Sequence, residues 1–310
     1  MPLFFFLSGY VLKPAKAALG FAAFVKQISR SILVPYLVFG VFGFLVWYLV
    51  LRRFGSFAGD KLPPWKPLVA FLYGSSGPKG EYWVQPIVLW FFPCLFSTQI
   101  LTWGILRLPA VLQALALVGF LMLADFLKAV PLPYGLESAF MGCLFMLAGY
   151  WLANHNALAS RMTRWGLIAA PVLLLLATAG AVWNGRVNLA KSNWGHNIDV
   201  YLLVAVTFIA AIYVVASKLP RSALVEKVSA ATIVIFPLHS LGFSALTFVY
   251  IYIFRQTSAF RQHVIVGVVA TLLIVSVLVI IAPWVNGILA KLTPSTPRSA
   301  GQRGSFASIR

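Results

Sequence analysis

The chain has 310 residues, 61% of them hydrophobic and only 10% charged, with a formal net charge of +18. A soluble globular domain carries about 25% charged residues, so most of this surface faces something other than water. Lys and Arg cluster in short connections between apolar runs, the pattern of membrane anchoring and topology control, which argues against a nucleic-acid partner.

The chain opens on MPLFFFLSGYVLKP. No positive charge precedes this apolar block, as a secretory signal requires, and the block is too short to cross a bilayer comfortably. Eight full spans follow, at 32–51, 85–106, 110–127, 135–153, 166–183, 198–216, 230–254 and 264–284. Backbone polar groups in hydrocarbon need internal partners, so these runs read as helices, and the short alternating runs of a membrane barrel are absent. The expected fold is all-α, a polytopic transmembrane bundle of eight spans plus an N-terminal partial span. Residues 1–288 read as one membrane domain. Residues 289–310, rich in Ser, Pro, Gly and Arg, read as a disordered cytoplasmic tail. The 52–84 connection is long enough to fold over a site at the outer face.

If the opening block starts outside, fourteen of the 24 Lys and Arg residues lie in inner connections and ten in outer ones. That moderate bias places the C-terminus inside. Cys94 and Cys143 both lie inside apolar runs and read as small buried hydrophobes.

Six acids are present, and five of them fall on or beside the outer face. Asp125 lies near a helix end, where a carboxylate reaches water. Glu137 begins the helix YGLESAFMGCLFMLAGYWL, and negative charge is favourable at a helix N-terminus. Gly135, Gly142 and Gly149 repeat every seven residues along that helix, a smooth stripe suited to close helix approach, so Glu137 could look into a crevice. His239 lies near the middle of its span, two residues after Pro237, which leaves the carbonyl of Ile233 without its amide. It reads either as the lining of a polar cavity or as a neutral imidazole bonded to a neighbouring helix. His196 and Asn197 stand at an outer helix entrance, where they suit either a sugar-like substrate or, for Asn197, a helix cap. No two histidines have the i, i+4 spacing of a zinc site, and no metal is expected. Arg30, just before a span, reads as an interfacial anchor or as a phosphate ligand for a cytosolic donor. No P-loop, nucleophile elbow or dinucleotide fingerprint is present.

Four stretches, MPLFFFLSGY, SRSILVPYLVFG, LWFFPCLF and IVIFPLHSL, resemble in order and spacing the integral-membrane acyltransferase 3 family, and most of all its fucose O-acetylase branch. The resemblance runs from residue 1 to about 285. It implies an inner-membrane, multi-pass enzyme that moves an acetyl or other acyl group from cytosolic acyl-CoA to a hydroxyl of a cell-surface saccharide or lipid-linked glycan. Acetyl-CoA would be the donor substrate, with no bound cofactor, and lipids, acyl-CoA and a saccharide would be the partners.

The first stretch resembles the start of the family's second helix. The arginine and the catalytic histidine of the first helix then have no counterpart here and are expected upstream of Met1. His239 is a weaker substitute. Arg30 matches the second member of an R-x-x-R pair, but Gln27 stands at the first, with Lys26 beside it as a partial replacement. The resemblance places Arg30 and Lys26 on the donor side. It places Ser8, Tyr10, Trp90, Glu137, His196 and Asn197 along the cavity or on the acceptor side. An inactive fragment, or a transporter or glycan flippase, is the alternative reading.

Overall fold

A computed structural model describes residues 1–53, 63–74, 88–128, 130–220, 222–250 and 264–293, without the side chains of 156–159 and 161–168. The described chain is helical, apart from one isolated antiparallel bridge between Asn188 and Asn193. It forms two compact units, Met1–Glu226 and Lys227–Arg310.

In the first unit, α1 (Pro2–Tyr10) and α2 (Pro14–Ala17) each begin on a proline, whose missing amide costs nothing in a first turn. Next, α3 (Phe21–Ile28) continues through a π turn, Ser29–Leu33, into α4 (Val34–Val46) and a second π turn, Trp47–Leu51. Pro35 cannot donate to the carbonyl of Ser31, and the widened turn sits immediately before it. The result is one apolar helix of 31 residues, Phe21–Leu51. The span expected at 32–51 therefore begins about three turns earlier. Lys26 and Arg30 interrupt hydropathy but not helical geometry.

The remaining helices of this unit are α5 (Trp65–Tyr73), α6 (Phe91–Ile105), α7 (Ala110–Phe126), α8 (Leu136–Asn154), α9 (Asn156–Asn184) and α10 (Ile198–Lys218). A last short helix, α11 (Ala223–Ala230), leads into α12 (Thr232–Phe248), and α13 (Val264–Leu292) follows. Each of the eight expected runs contains a helix. Among the described residues, four helices are long and apolar enough to cross a membrane: Phe21–Leu51, Pro133–Asn154, Ile198–Lys218 and Val264–Leu292. The α11–α12 pair, bent by 73°, makes a fifth if it counts as one span. Of the run expected from 85, residues 85–87 lie outside the described residues and α6 begins at Phe91; its 15 residues rise about 22 Å, short of a hydrocarbon core about 30 Å thick. The last helix runs to Leu292, past the expected end at 284. Most of the long 52–84 connection and the tail beyond 293 lie outside the described residues.

α8 is the centre of the first unit, with twelve of its nineteen residues buried. α1 lies parallel to it at backbone contact. A side chain on Gly9 would strike the Met146 carbonyl, and one on Gly149 would strike the Phe6 carbonyl. Gly142 faces the Phe5 ring and the Thr98 hydroxyl. Gly142 and Gly149 of the stripe thus seat α1, while Gly135 packs against Cys94 of α6. α6 and α7 flank α8, and α10 packs along α9. Outward faces stay apolar: Val111, Met122 and Phe126 on α7 are 72%, 69% and 82% exposed, which is stable in lipid and costly in water. In the second unit α12 packs on α13, with Gly242 against the side chain of Ile274.

Gly149→Leu should lower the unfolding midpoint of the detergent-solubilised protein by the equivalent of about 1–3 kcal/mol. Gly119→Ala, where nothing lies within 4 Å, should leave the midpoint unchanged or slightly raised.

Candidate functional site

Because α1 and α8 run parallel, the first unit has two chemically distinct ends. The stretch after α1 joins the C-terminal ends of α6 and α8. There Trp103 Nε1 donates to the Leu19 carbonyl at 3.0 Å, and Arg107 lies 3.4 Å over the Trp103 ring and also bonds the Leu19 carbonyl. Phe24 stacks on Trp103 at 6.1 Å, and the Lys16 ammonium sits 5.9 Å from the Phe24 ring. Burial holds the Lys16 pKa below the ordinary lysine value. Lys26 and Arg30 follow one helical turn apart, Lys26 exposed and Arg30 half-buried. Neither has an ion pair or hydrogen bond among the described residues. A guanidinium without a carboxylate partner is free to meet a diffusible anion.

The other end gathers the starts of α8 and α10 and the ends of α7 and α9. Asn184 is 1% exposed. Its Nδ2 donates to the Trp194 carbonyl at 2.7 Å, and its Oδ1 accepts the Asn197 amide at 2.9 Å. Trp194 Nε1 donates to the Ala124 carbonyl at 3.1 Å. The Ser138 hydroxyl donates to the Leu189 carbonyl at 2.6 Å and lies 3.0 Å from that of Ser192. These bonds staple residues 185–197 over the ends of α7 and α8. They frame a cleft of about 250 Å³ lined by Asp125, Lys128, Lys191, Ser192, Asn193 and His196, among others. Asp125 and Lys128 form an ion pair at 3.0 Å.

The residues singled out from sequence divide between these places. His196 lines the cleft and turns Nδ1 to the Trp183 carbonyl at 2.9 Å; a carbonyl only accepts, so Nδ1 donates. Asn197 is the helix cap, its Oδ1 accepting the amides of Asp199 at 2.7 Å and Val200 at 3.1 Å. Glu137 is buried 5% exposed, and its Oε2 accepts the Leu132 amide at 3.0 Å, bracing the turn into α8. Trp90 caps α6 at its N-terminus, half-buried and edge-on to Phe91. Ser8 returns its hydroxyl to the Phe4 carbonyl at 2.8 Å, within its own helix. Tyr10 meets Tyr213 hydroxyl to hydroxyl at 3.3 Å, tying α1 to α10. Cys94 and Cys143 are buried and free, as their apolar runs suggest.

His239 belongs to the second unit. Its Nδ1 reaches back to the carbonyls of Phe236 at 2.7 Å and Ile235 at 3.2 Å, one turn along its own helix. These hydrogen bonds of the ring are to its own helix. With Nδ1 as donor, the neutral ring keeps its lone pair on Nε2. His239 lines a cavity of about 490 Å³ with Ser240, Phe243, Ser244, Thr247 and Gly267.

A family model described as an acyltransferase domain, Acyl_transf_3, matches residues 1–285. The chain belongs to the acyltransferase 3 family. No curated protein and no solved structure matches it. With its apolar helices, it is a multi-pass membrane protein of an acyltransferase family. Three parts of this family member escape a reading of its sequence: Asn184, Lys191 and the Lys16–Phe24 contact. The first had a signal, since Asn-Gly at 184–185 closes an apolar helix. The other two are ordinary surface lysines until their neighbours are known.

Asn184→Ala leaves the Trp194 carbonyl and the Asn197 amide without their partner. It should destabilise the protein by about 1–3 kcal/mol, read as a lowered thermal midpoint. Asn197→Ala, which removes only the cap, should cost about 1 kcal/mol.

Proposed function

We propose that this chain is an O-acyltransferase that moves an acetyl group from cytosolic acetyl-CoA to a hydroxyl of a saccharide at the other face of a cell inner membrane. The observation that carries the reading is the Lys26–Arg30 pair, two cations one turn apart without an acid partner among the described residues, within a chain of an acyltransferase family. A coenzyme A donor brings phosphates to the membrane surface, and a half-buried guanidinium offers them a forked, charge-assisted grip. Lys16 adds a third cation, and burial makes an anionic neighbour favourable to it.

Transfer from a thioester to an alcohol needs a base for the hydroxyl proton and close alignment of donor carbonyl and acceptor oxygen. Within the second unit, His239 has the chemistry that such a base needs. Its Nδ1 donates to backbone carbonyls, so its Nε2 lone pair is the one available to take a proton. The alkoxide oxygen then attacks the thioester carbonyl, and the thiolate of coenzyme A leaves with the proton. The acceptor side is assigned to the polar cleft at the opposite end of the first unit, which offers several groups able to bond sugar hydroxyls.

Membranes bearing the protein, given radiolabelled acetyl-CoA and a saccharide panel, should place label on a glycan. Label on none of them would overturn the proposal. Arg30→Ala should raise KM for acetyl-CoA about tenfold with a smaller effect on kcat, and Arg30→Lys should restore only part of the affinity. His239→Gln should lower kcat by about 100- to 10,000-fold at unchanged melting temperature. Unchanged kcat would place the base elsewhere.

A further inference from the structure

We infer that the cleft framed by residues 185–197 binds one sugar ring carrying an oxyanion, with Lys191 as the counter-charge. This deepens the acyltransferase reading, on which it rests only in naming that sugar as the acceptor.

Three observations converge. The first is the lining: Asp125, Lys128, Lys191, Ser192, Asn193 and His196 border one space of about 250 Å³, room for a single ring. Such a mixture of donors and acceptors matches the many hydroxyls of a sugar, and a purely apolar ligand would leave it unsatisfied.

The second is rigidity. Trp194 is pinned to Ala124, Ser192 lies against the Ser138 hydroxyl, and the Asn193 side chain accepts the Gly195 amide at 3.0 Å. The wall is held before any ligand arrives, which lowers the ordering cost of binding.

The third is charge. Asp125 is neutralised by Lys128 at 3.0 Å. Lys191 is exposed and has no acid partner among the described residues, so the cleft is one positive charge in excess. His196 spends Nδ1 on the Trp183 carbonyl, which leaves its other nitrogen to a sugar hydroxyl. A neutral sugar satisfies the hydrogen-bonding groups but leaves Lys191 unanswered. A sugar with a carboxylate or a phosphate answers both.

The oxyanion has two possible sources, a uronate carboxylate on the ring or a phosphate on its anomeric carbon. The test uses the full chain in nanodiscs with no acyl donor. Saturation-transfer NMR titrations follow three probes: methyl β-glucoside, methyl β-glucuronide and glucose 1-phosphate. At least one anionic probe should bind about tenfold more tightly than the neutral glucoside, and the tighter of the two identifies the source. Lys191→Ala should erase that preference and Lys191→Arg should keep it, both at the wild-type melting temperature because the side chain is exposed. Equal affinity for all three probes, no binding of any, or a preference that survives Lys191→Ala would overturn the inference. Since no donor is present, anion-selective binding by a chain that transfers no acetyl would uphold the cleft while ending the acyl-transfer reading.

Discussion

Helices in lipid gain nothing by hiding apolar surface from one another, because the lipid tails are as apolar as the helices. What holds them is close approach, and here that approach is made by α1 on α8. Gly9 admits the Met146 carbonyl and Gly149 admits the Phe6 carbonyl, so the two backbones touch. Around that contact Phe5, Met146 and Leu147 are fully buried, and each gains dispersion contacts that lipid cannot supply as densely. α6 and α7 take their places against α8, and Tyr10 carries α1 across to α10 through Tyr213.

The parallel run of α1 and α8 also decides where the chemistry lies. It puts the stretch that follows α1, with Lys13 and Lys16, at one end of the unit, beside Trp103 and Arg107. It puts the stretch before α8 at the other end, where residues 185–197 fold over it. One end is basic, with no acid paired to Lys26 or Arg30 among the described residues. The other mixes charges and hydroxyls around a cleft. The helix direction supplies that division, which suits the transfer proposed above.

Several buried polar groups among the described residues are occupied in holding backbone, while Trp47 Nε1, Gln99 Oε1 and the Tyr201 hydroxyl are buried without a hydrogen-bond partner. Glu137, Asn184 and Ser138 each bond a carbonyl or an amide from a distant or adjoining turn. In hydrocarbon such a bond replaces a costly orphan. Glu137 therefore reads as a brace. His239 spends one nitrogen in the same way and keeps the other.

Much of this was legible in order of residues alone. The seven-residue glycine spacing announced a contact face, the apolar runs announced helices, Asn197 before a helix offered a cap beside a substrate contact, and both cysteines announced burial. These are local properties, set by periodicity and hydropathy within a few turns. The extension of the first long helix back to Phe21 was hidden because Lys26, Gln27 and Arg30 lower hydropathy while remaining good helix formers. Partners far apart in the chain were decided by tertiary structure alone: Trp194 with Ala124, Ser138 with Leu189 and Tyr10 with Tyr213; so was the cleft that Lys191 shares with Asp125 and Lys128. No local pattern encodes them, because a hydrogen bond or a cleft depends on which helix ends packing brings together.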